Sequence, residues 1–257
     1  MIKRNFVLIF ILFYIVSCNT LNNDLKKTDS IQSGIAISFD DHFIYEWSKA
    51  DSLLQMYNWK ATFFISNFGN LSLEDIEKLK NLQSNGHEIG GHGYLHLNAP
   101  QYISKNTLDD YFNKEIEPMI NSMKANGFEI ESFAYPYSWS NSLSDALLLN
   151  KFKIVRCGVF GAIKIEKQPC FFNGCRIVYG LEIDQNQRLS SSYIISLLEY
   201  AKNNNKIVIL YAHKPVKELS GKYEVQFSRL EEICKFVKQN NMKFYTLSEL
   251  IDLVEGK

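Results

Sequence analysis

The sequence predicts a distorted (β/α) barrel of seven or eight units in a single α/β domain, and three observations carry that reading. From Gly34 onward, short β-rich runs alternate with segments of helical spacing, the pattern of parallel strands joined by helical crossovers. Seven or eight such units within residues 34–257 suit a closed barrel better than an open sheet. No GxGxxG follows the first strand, which weakens a dinucleotide-binding alternative.

The elements follow in order. Ile35-Ala-Ile-Ser-Phe39 reads as a strand, Ile44 to Tyr57 carries apolar residues at helical spacing, and Thr62-Phe-Phe-Ile65 reads as a buried strand. Ser72-Leu-Glu-Asp75 has the form of a capping box opening a helix to about Ser84, with Gly86 just past its end. His87-Glu-Ile-Gly90 is a short strand. A helix over Leu108 to Ala125 is expected to bend at Pro118, with Gly127 beyond it. Phe133-Ala-Tyr135 is a strand, Leu143 to Leu149 a helix and Lys153 to Arg156 a strand. After an irregular stretch rich in Cys, Gly and aromatics come a helix from Tyr193 to Lys202 and a strand from Ile207 to Tyr211. A helix from Gln226 to Lys238, a strand at Lys243-Phe-Tyr245 and a last helix opened by Thr246-Leu-Ser-Glu249 complete the chain.

Composition sets the outer bounds. The chain has 257 residues, 46% of them hydrophobic and 22% charged, which is ordinary for a globular protein and excludes disorder, collagen and coiled coil. Its 28 basic and 28 acidic residues cancel, so no field that gathers nucleic acid is expected.

The N-terminus reads as an export signal. Lys3 and Arg4 precede an apolar run of 11 residues, Phe6 to Val16, too short to span ~30 Å of hydrocarbon at ~1.5 Å per residue but apt for a signal-peptide core. The run ends in Ile15-Val-Ser-Cys18, which resembles a bacterial lipobox with Cys18 as the lipidated residue; an ordinary secretory signal is the alternative. The expected division is a signal peptide over 1–17, a flexible tether over 18–33 and the domain over 34–257. The protein would sit in the bacterial cell envelope, lipid-anchored rather than spanning. Export leaves Cys157, Cys170, Cys175 and Cys234. An Asn-Gly turn between Cys170 and Cys175 makes a disulfide there conceivable, with buried thiols as the default.

In a barrel, chemistry sits at the C-terminal ends of strands. The first strand ends in Asp40-Asp41, a pair that reads either as a turn or as a metal ligand beside a base. The third ends in Gly90-Gly-His92-Gly-Tyr-Leu-His96, and histidines four apart on a helical turn can reach one cation. Two histidines and one carboxylate leave coordination positions open for water and substrate. His213 follows the strand Ile207 to Tyr211. His87 reads as structural, and His42 as the beginning of a helix.

Ser-Phe-Asp-Asp, Gly-His-Glu-Ile-Gly-Gly-His-Gly-Tyr-Leu-His, Phe-Ala-Tyr-Pro-Tyr and Leu-Tyr-Ala-His together resemble the ordered motifs of the polysaccharide deacetylase family (NodB-homology, carbohydrate esterase family 4), over about Ile35 to Leu250. The resemblance implies Asp40 as general base, and Asp41, His92 and His96 as ligands of one divalent metal, zinc first, with cobalt, nickel or manganese as alternatives. It implies His213 as general acid, Leu210 at the acetyl methyl and the Tyr137 backbone N–H at the oxyanion. The implied partner is an acetylated polysaccharide, with N-acetyl groups removed from amino-sugars. Aromatics Tyr94, Tyr137, Trp139 and Phe160 are candidates for sugar-stacking walls.

Three positions depart from the family pattern. Ala134 stands where an arginine usually orients the catalytic aspartate, His42 replaces a glycine after Asp-Asp, and Gly93 replaces the Ser/Thr that braces the ligand loop. The fourth motif has two candidates, Glu166 and Asp184. Three other readings stand beside deacetylation of amino-sugars. They are an O-acetyl polysaccharide esterase using the same site, a non-catalytic glycan-binding lipoprotein favoured by the missing arginine, and a 2-His-1-carboxylate iron oxygenase, which the α/β alternation opposes.

Overall fold

The computed structural model describes residues 32–256. The signal segment, Cys18 and most of the tether lie outside the described residues. Seven parallel strands close into a barrel: β1 Gly34–Asp41, β2 Thr62–Ile65, β3 Glu88–Gly91, β4 Ser132–Ala134, β5 Ile154–Val159, β6 Ile177–Glu182 and β7 Ile207–Ala212, with β7 pairing back on β1. Two further strands, β8 Lys214–Val216 and β9 Glu224–Gln226, form a separate parallel pair just past His213. Strand β10, Lys243–Tyr245, lies against the start of β1. The domain is a single distorted barrel.

Most helices lie where the spacing predicts them; it does not anticipate a short helix at Ala99–Ile103, the first helix gives way to a 3-10 turn at Gln55–Tyr57, and the longer helix before β4 is interrupted. Helices α1 Ile44–Leu54 and α2 Leu73–Ser84 pack together, and Ser72 and Asp75 form the expected reciprocal cap on α2. Between β3 and β4 lie α3 Ala99–Ile103, α4 Leu108–Tyr111 and α5 Glu117–Ala125. The expected single helix over Leu108 to Ala125 is interrupted by a π-turn at Phe112–Ile116, so the irregularity begins before Pro118. Pro118 is the second residue of α5, which follows directly on the π-turn, so the proline, which has no N–H to donate to the preceding turn, sits where the helix is already irregular. Helices α6 Ser142–Leu149, α7 Ser191–Asn203, α8 Phe227–Gln239 and α9 Glu249–Glu255 complete the set.

Among the described residues no α-helix joins β5 to β6, and β6 itself falls in the stretch that reads as irregular. Its sequence, Ile-Val-Tyr-Gly-Leu-Glu, is short and carries a glycine that weakens the strand signal. Gly180 sits in a tight space: a Cβ would lie 3.1 Å from the Arg156 side chain and 3.2 Å from the Tyr211 ring inside the barrel. Cys170 is a buried free thiol, so the Cys170–Cys175 bridge is not formed. Instead Cys170 O accepts the Ile209 N–H, and the segment lies beside β7.

Strand parity divides the core. Phe39, Phe63, Val155, Leu181, Val208 and Leu210 face the helices, with the Trp47 ring tilted against Phe63 at 5.2 Å. Ala36, Phe64, Ala134, Ile154, Val178 and Ile209 form a separate cluster along the axis. His87 is structural as expected. It accepts the Ala61 N–H through Nδ1 and meets the buried Asp51 carboxylate through Nε2 at 2.8 Å. Pairing of Ser38–Asp41 with Thr62–Ile65, and of β1 with β7 as far as Phe39, brings the C-terminal ends of β1, β2 and β7 to one rim.

Candidate active site

Four non-glycine residues that line a cavity at that rim hold positive φ: Asp41 at 84°, His96 at 59°, Tyr137 at 60° and Ser138 at 63°. Such conformations cost on the order of 1–3 kcal/mol each and persist where the surrounding fold fixes them. At Asp41 the consequence is direct. Consecutive strand residues normally face opposite sides, and the turned backbone lets the carboxylates of Asp40 and Asp41 line the same cavity.

Asp41 Oδ1 lies 3.2 Å from His96 Nε2 and 3.6 Å from His92 Nε2, and the three ligand atoms all fall within 4.8 Å of one another. His92 Nδ1 is 2.8 Å from the Ala134 carbonyl. A carbonyl only accepts, so Nδ1 carries the proton and Nε2 turns a lone pair toward Asp41. Burial pushes the His92 ring down to about 4, which keeps it neutral near pH 7. Burial also raises the Asp41 carboxyl, but the hydrogen bond to His96 and the charges of His92, His213 and His96 outweigh it, so the carboxyl stays ionised. A neutral imidazole nitrogen facing an ionised carboxylate with no proton between them is a site built for a cation. The donor set of two nitrogens and one oxygen fits a divalent metal with open positions.

Asp40 lies at the floor, 2% exposed, with Oδ2 4.0 Å from His92 Nε2. Its Oδ2 accepts from Arg156 Nη2, while Oδ1 is buried without a partner. The guanidinium is fully buried and stands 4.1 Å over the Tyr211 ring. Position 134, where the family arginine is expected, pairs in register with Arg156 on the neighbouring strand. A guanidinium therefore reaches the aspartate from β5 instead of β4. The sequence reading missed it, although Arg156 in an otherwise apolar strand was a usable signal, because a buried arginine needs a partner.

His213 closes the opposite wall. Its Nδ1 is 2.5 Å from Asp184 Oδ2, its backbone N–H donates to Asp184 Oδ1, and Tyr223 covers the ring at 5.1 Å. Asp184, not Glu166, is thus the acid beside this histidine. Burial lowers the His213 ring, but the hydrogen bond and charge of Asp184, with Asp40 and Asp41, push it up to about 9.

A cavity of about 430 Å³ joins these groups and is walled by Tyr137, Trp139, Phe160 and Tyr223. Trp139 and Phe160 are more than half exposed there. Tyr137 packs its ring on His96 at 4.7 Å. Tyr94 packs against the core instead of the cavity. The structure does not bring Leu210 to the cavity. Its parity on β7 points it into the helix-facing core, fully buried, and Tyr211 takes the wall position. Also absent from the sequence reading is Glu182, whose Oε2 accepts the Tyr211 hydroxyl, which in turn contacts Ser138 Oγ at 3.2 Å. His42 precedes α1 and approaches Ser66 Oγ at 3.4 Å.

Comparison with known proteins agrees with this architecture. A family model described as polysaccharide deacetylase matches residues 27–153. A search of curated proteins found no significant match. Among solved structures, the CE4 domain of a multidomain xylanase from the hindgut metagenome of Trinervitermes trinervoides superposes with a TM-score of 0.54 at 18% identity, covering 88% of this chain and 92% of that one. The catalytic domain of a peptidoglycan N-acetylglucosamine deacetylase from Eubacterium rectale gives 0.52 at 18%, covering 84% and 89%. A CE4 family pseudoenzyme from Bacillus anthracis gives 0.57 at 14%, covering 88% and 67%. At these identities the superpositions speak to the fold alone. With the closed seven-stranded barrel, the matched model and the ordered motifs on its rim, the chain carries a polysaccharide deacetylase domain.

Proposed function

We propose that this chain is a metal-dependent hydrolase that removes N-acetyl groups from amino-sugars of an extracytoplasmic polysaccharide. The observation that carries the reading is the triad of Asp41, His92 and His96 beside a second carboxylate, Asp40, whose Oδ1 has no partner. Asp41, His92 and His96 would hold one divalent cation, zinc first. When bound, it would supply Lewis acidity at the acetyl carbonyl and acidify a nearby water.

The chain's own groups account for the proton traffic. Asp40, with Oδ2 fixed by Arg156, has Oδ1 left to take a proton from the attacking water. His213, protonated through Asp184, returns one to the departing nitrogen. The Tyr137 backbone, held at positive φ on the rim, would turn its N–H toward the developing oxyanion. Trp139 and Phe160 would stack on the apolar faces of sugar rings. Cys18 would carry the lipid that tethers the domain to the cell envelope. A non-catalytic glycan-binding role loses its main support, since Arg156 supplies the guanidinium missing at Ala134.

The deciding measurement is acetate release across chitin oligomers, β-1,6-linked N-acetylglucosamine, peptidoglycan and acetylxylan, with and without a chelator. Release from an N-acetylated glycan, abolished by chelator and restored by zinc or cobalt, is expected. Release from acetylxylan alone would move the assignment to O-acetyl esterase, and no release from any glycan by the metal-loaded protein would refute catalysis.

The His213–Asp184 pair adds a pH signature. The acid must be protonated, so the rate falls as pH rises through the His213 value, and Asp184 raises that value. In pH–rate profiles, Asp184→Asn is expected to move the alkaline limb at least one pH unit down, toward ~6.5. An unmoved limb would show that His213 is not the titrating acid.

A further inference from the structure

We propose that Glu115, far from the motifs in sequence, is the positioning residue of the loop that presents His96, and that it does the work of the side chain missing at Gly93. The inference rests on the metal reading above and adds to it a residue that does not itself touch the cation.

Glu115 is fully buried, and its carboxylate brackets His96 in the chain. Oε2 accepts the Leu95 N–H and Oε1 the Leu97 N–H, each at 2.7 Å. The same residue's backbone carbonyl accepts the Tyr94 N–H at 3.0 Å. One residue therefore fixes the backbone at 94, 95 and 97. Between these anchors His96 holds φ of 59°, a conformation that needs outside support.

Gly93 supplies the second observation. Its φ is 85°, and a Cβ built there would lie 2.0 Å from Glu115 Oε1. The carboxylate occupies the volume that a side chain at 93 would fill, so the glycine and the carboxylate fit each other as a pair. The π-turn at Phe112–Ile116 carries Glu115. One turn farther along, Met119 Sδ takes the Gly93 N–H at 3.1 Å. Isolated π-turns often occur at functional sites, and this one carries the residue that braces the loop.

The Leu95 and Leu97 N–H groups each donate to a separate oxygen of the Glu115 carboxyl group. Glutamine can accept only one of the two through its single oxygen and would oppose the other with its NH₂ group. Outer groups that orient metal ligands are worth about 10–100-fold in metal affinity when removed.

The test is zinc affinity of the full-length chain stripped of metal, by competition with a chromophoric chelator, for wild type, Glu115→Gln and Glu115→Asp. Glu115→Gln is expected to weaken zinc binding 10–100-fold, with the far-UV circular dichroism and unfolding temperature of the metal-free protein close to wild type. Glu115→Asp, which keeps both carboxyl oxygens but falls one methylene short, is expected to lie between the two. Amide exchange at Leu95 and Leu97 is expected to quicken in Glu115→Gln while that of β1 and β7 is unchanged. Zinc affinity within twofold of wild type in both variants would overturn the proposal, as would loss of affinity that only follows unfolding of the metal-free protein. Failure of the wild-type chain to bind zinc would instead remove the metal reading beneath it, a separate and visible result.

Discussion

Asp40→Asn is expected to lower kcat/KM for acetate release about 10²–10⁴-fold while leaving zinc affinity within a few-fold of wild type. The amide nearly matches the carboxylate in shape, so the cavity and the Asp41–His92–His96 triad keep their geometry. What disappears is basicity at the one oxygen of Asp40 that has no partner, Oδ1. Steady-state kinetics on an N-acetylglucosamine oligomer, with metal affinity measured in parallel, checks this. Equal acetate release by the two proteins would remove Asp40 from the role of base.

Arg156→Met is expected to cost about 3–5 kcal/mol of stability and most of the activity, because it strands the Asp40 carboxylate at the floor of the site without its buried cation. For a chain of this size that corresponds to a fall in unfolding temperature on the order of 10 °C. The double variant Arg156→Met with Asp40→Asn separates the two effects. It removes both charges, so it is expected to regain stability over Arg156→Met while remaining inactive. Differential scanning calorimetry of the metal-free proteins and acetate release give the two readouts. Wild-type stability and rate in Arg156→Met would mean that the guanidinium neither compensates nor orients Asp40.

Arg156 also illustrates where a motif comparison stops. Read along the chain, Ala134 is a lost residue and the site looks crippled. Read across the β4–β5 register, Ala134 and Arg156 are neighbours, and the guanidinium is displaced by one strand without leaving the carboxylate. Gly93 and Glu115 repeat the lesson at longer range: the carboxyl group that fills the space beside Gly93 lies 22 positions away in sequence and within contact in space. In both cases the neighbour that a motif comparison overlooks is found through a contact, and contacts are not ordered along the sequence.

The alternation of strand and helix, the capping box at Ser72, the strand ends bearing Asp40, Asp41, His92 and His213, and the structural role of His87 were all legible in the residues. They depend on local periodicity and on side-chain chemistry near in sequence. Strand β6 was not legible, since its apolar pattern is short and interrupted by Gly180, which packs closely against Arg156 and Tyr211 of the two flanking strands. Nor was the outward facing of Leu210, which follows from strand parity fixed by the closure of β7 on β1. The choice of Asp184 over Glu166 likewise waited on the placement of β6 beside β7. Sequence alone determined which chemistry the rim carries, because reactive side chains are named in it. Tertiary structure decided what holds each of those groups in place, because a buried charge is stabilised by whatever the fold packs against it, from any part of the chain.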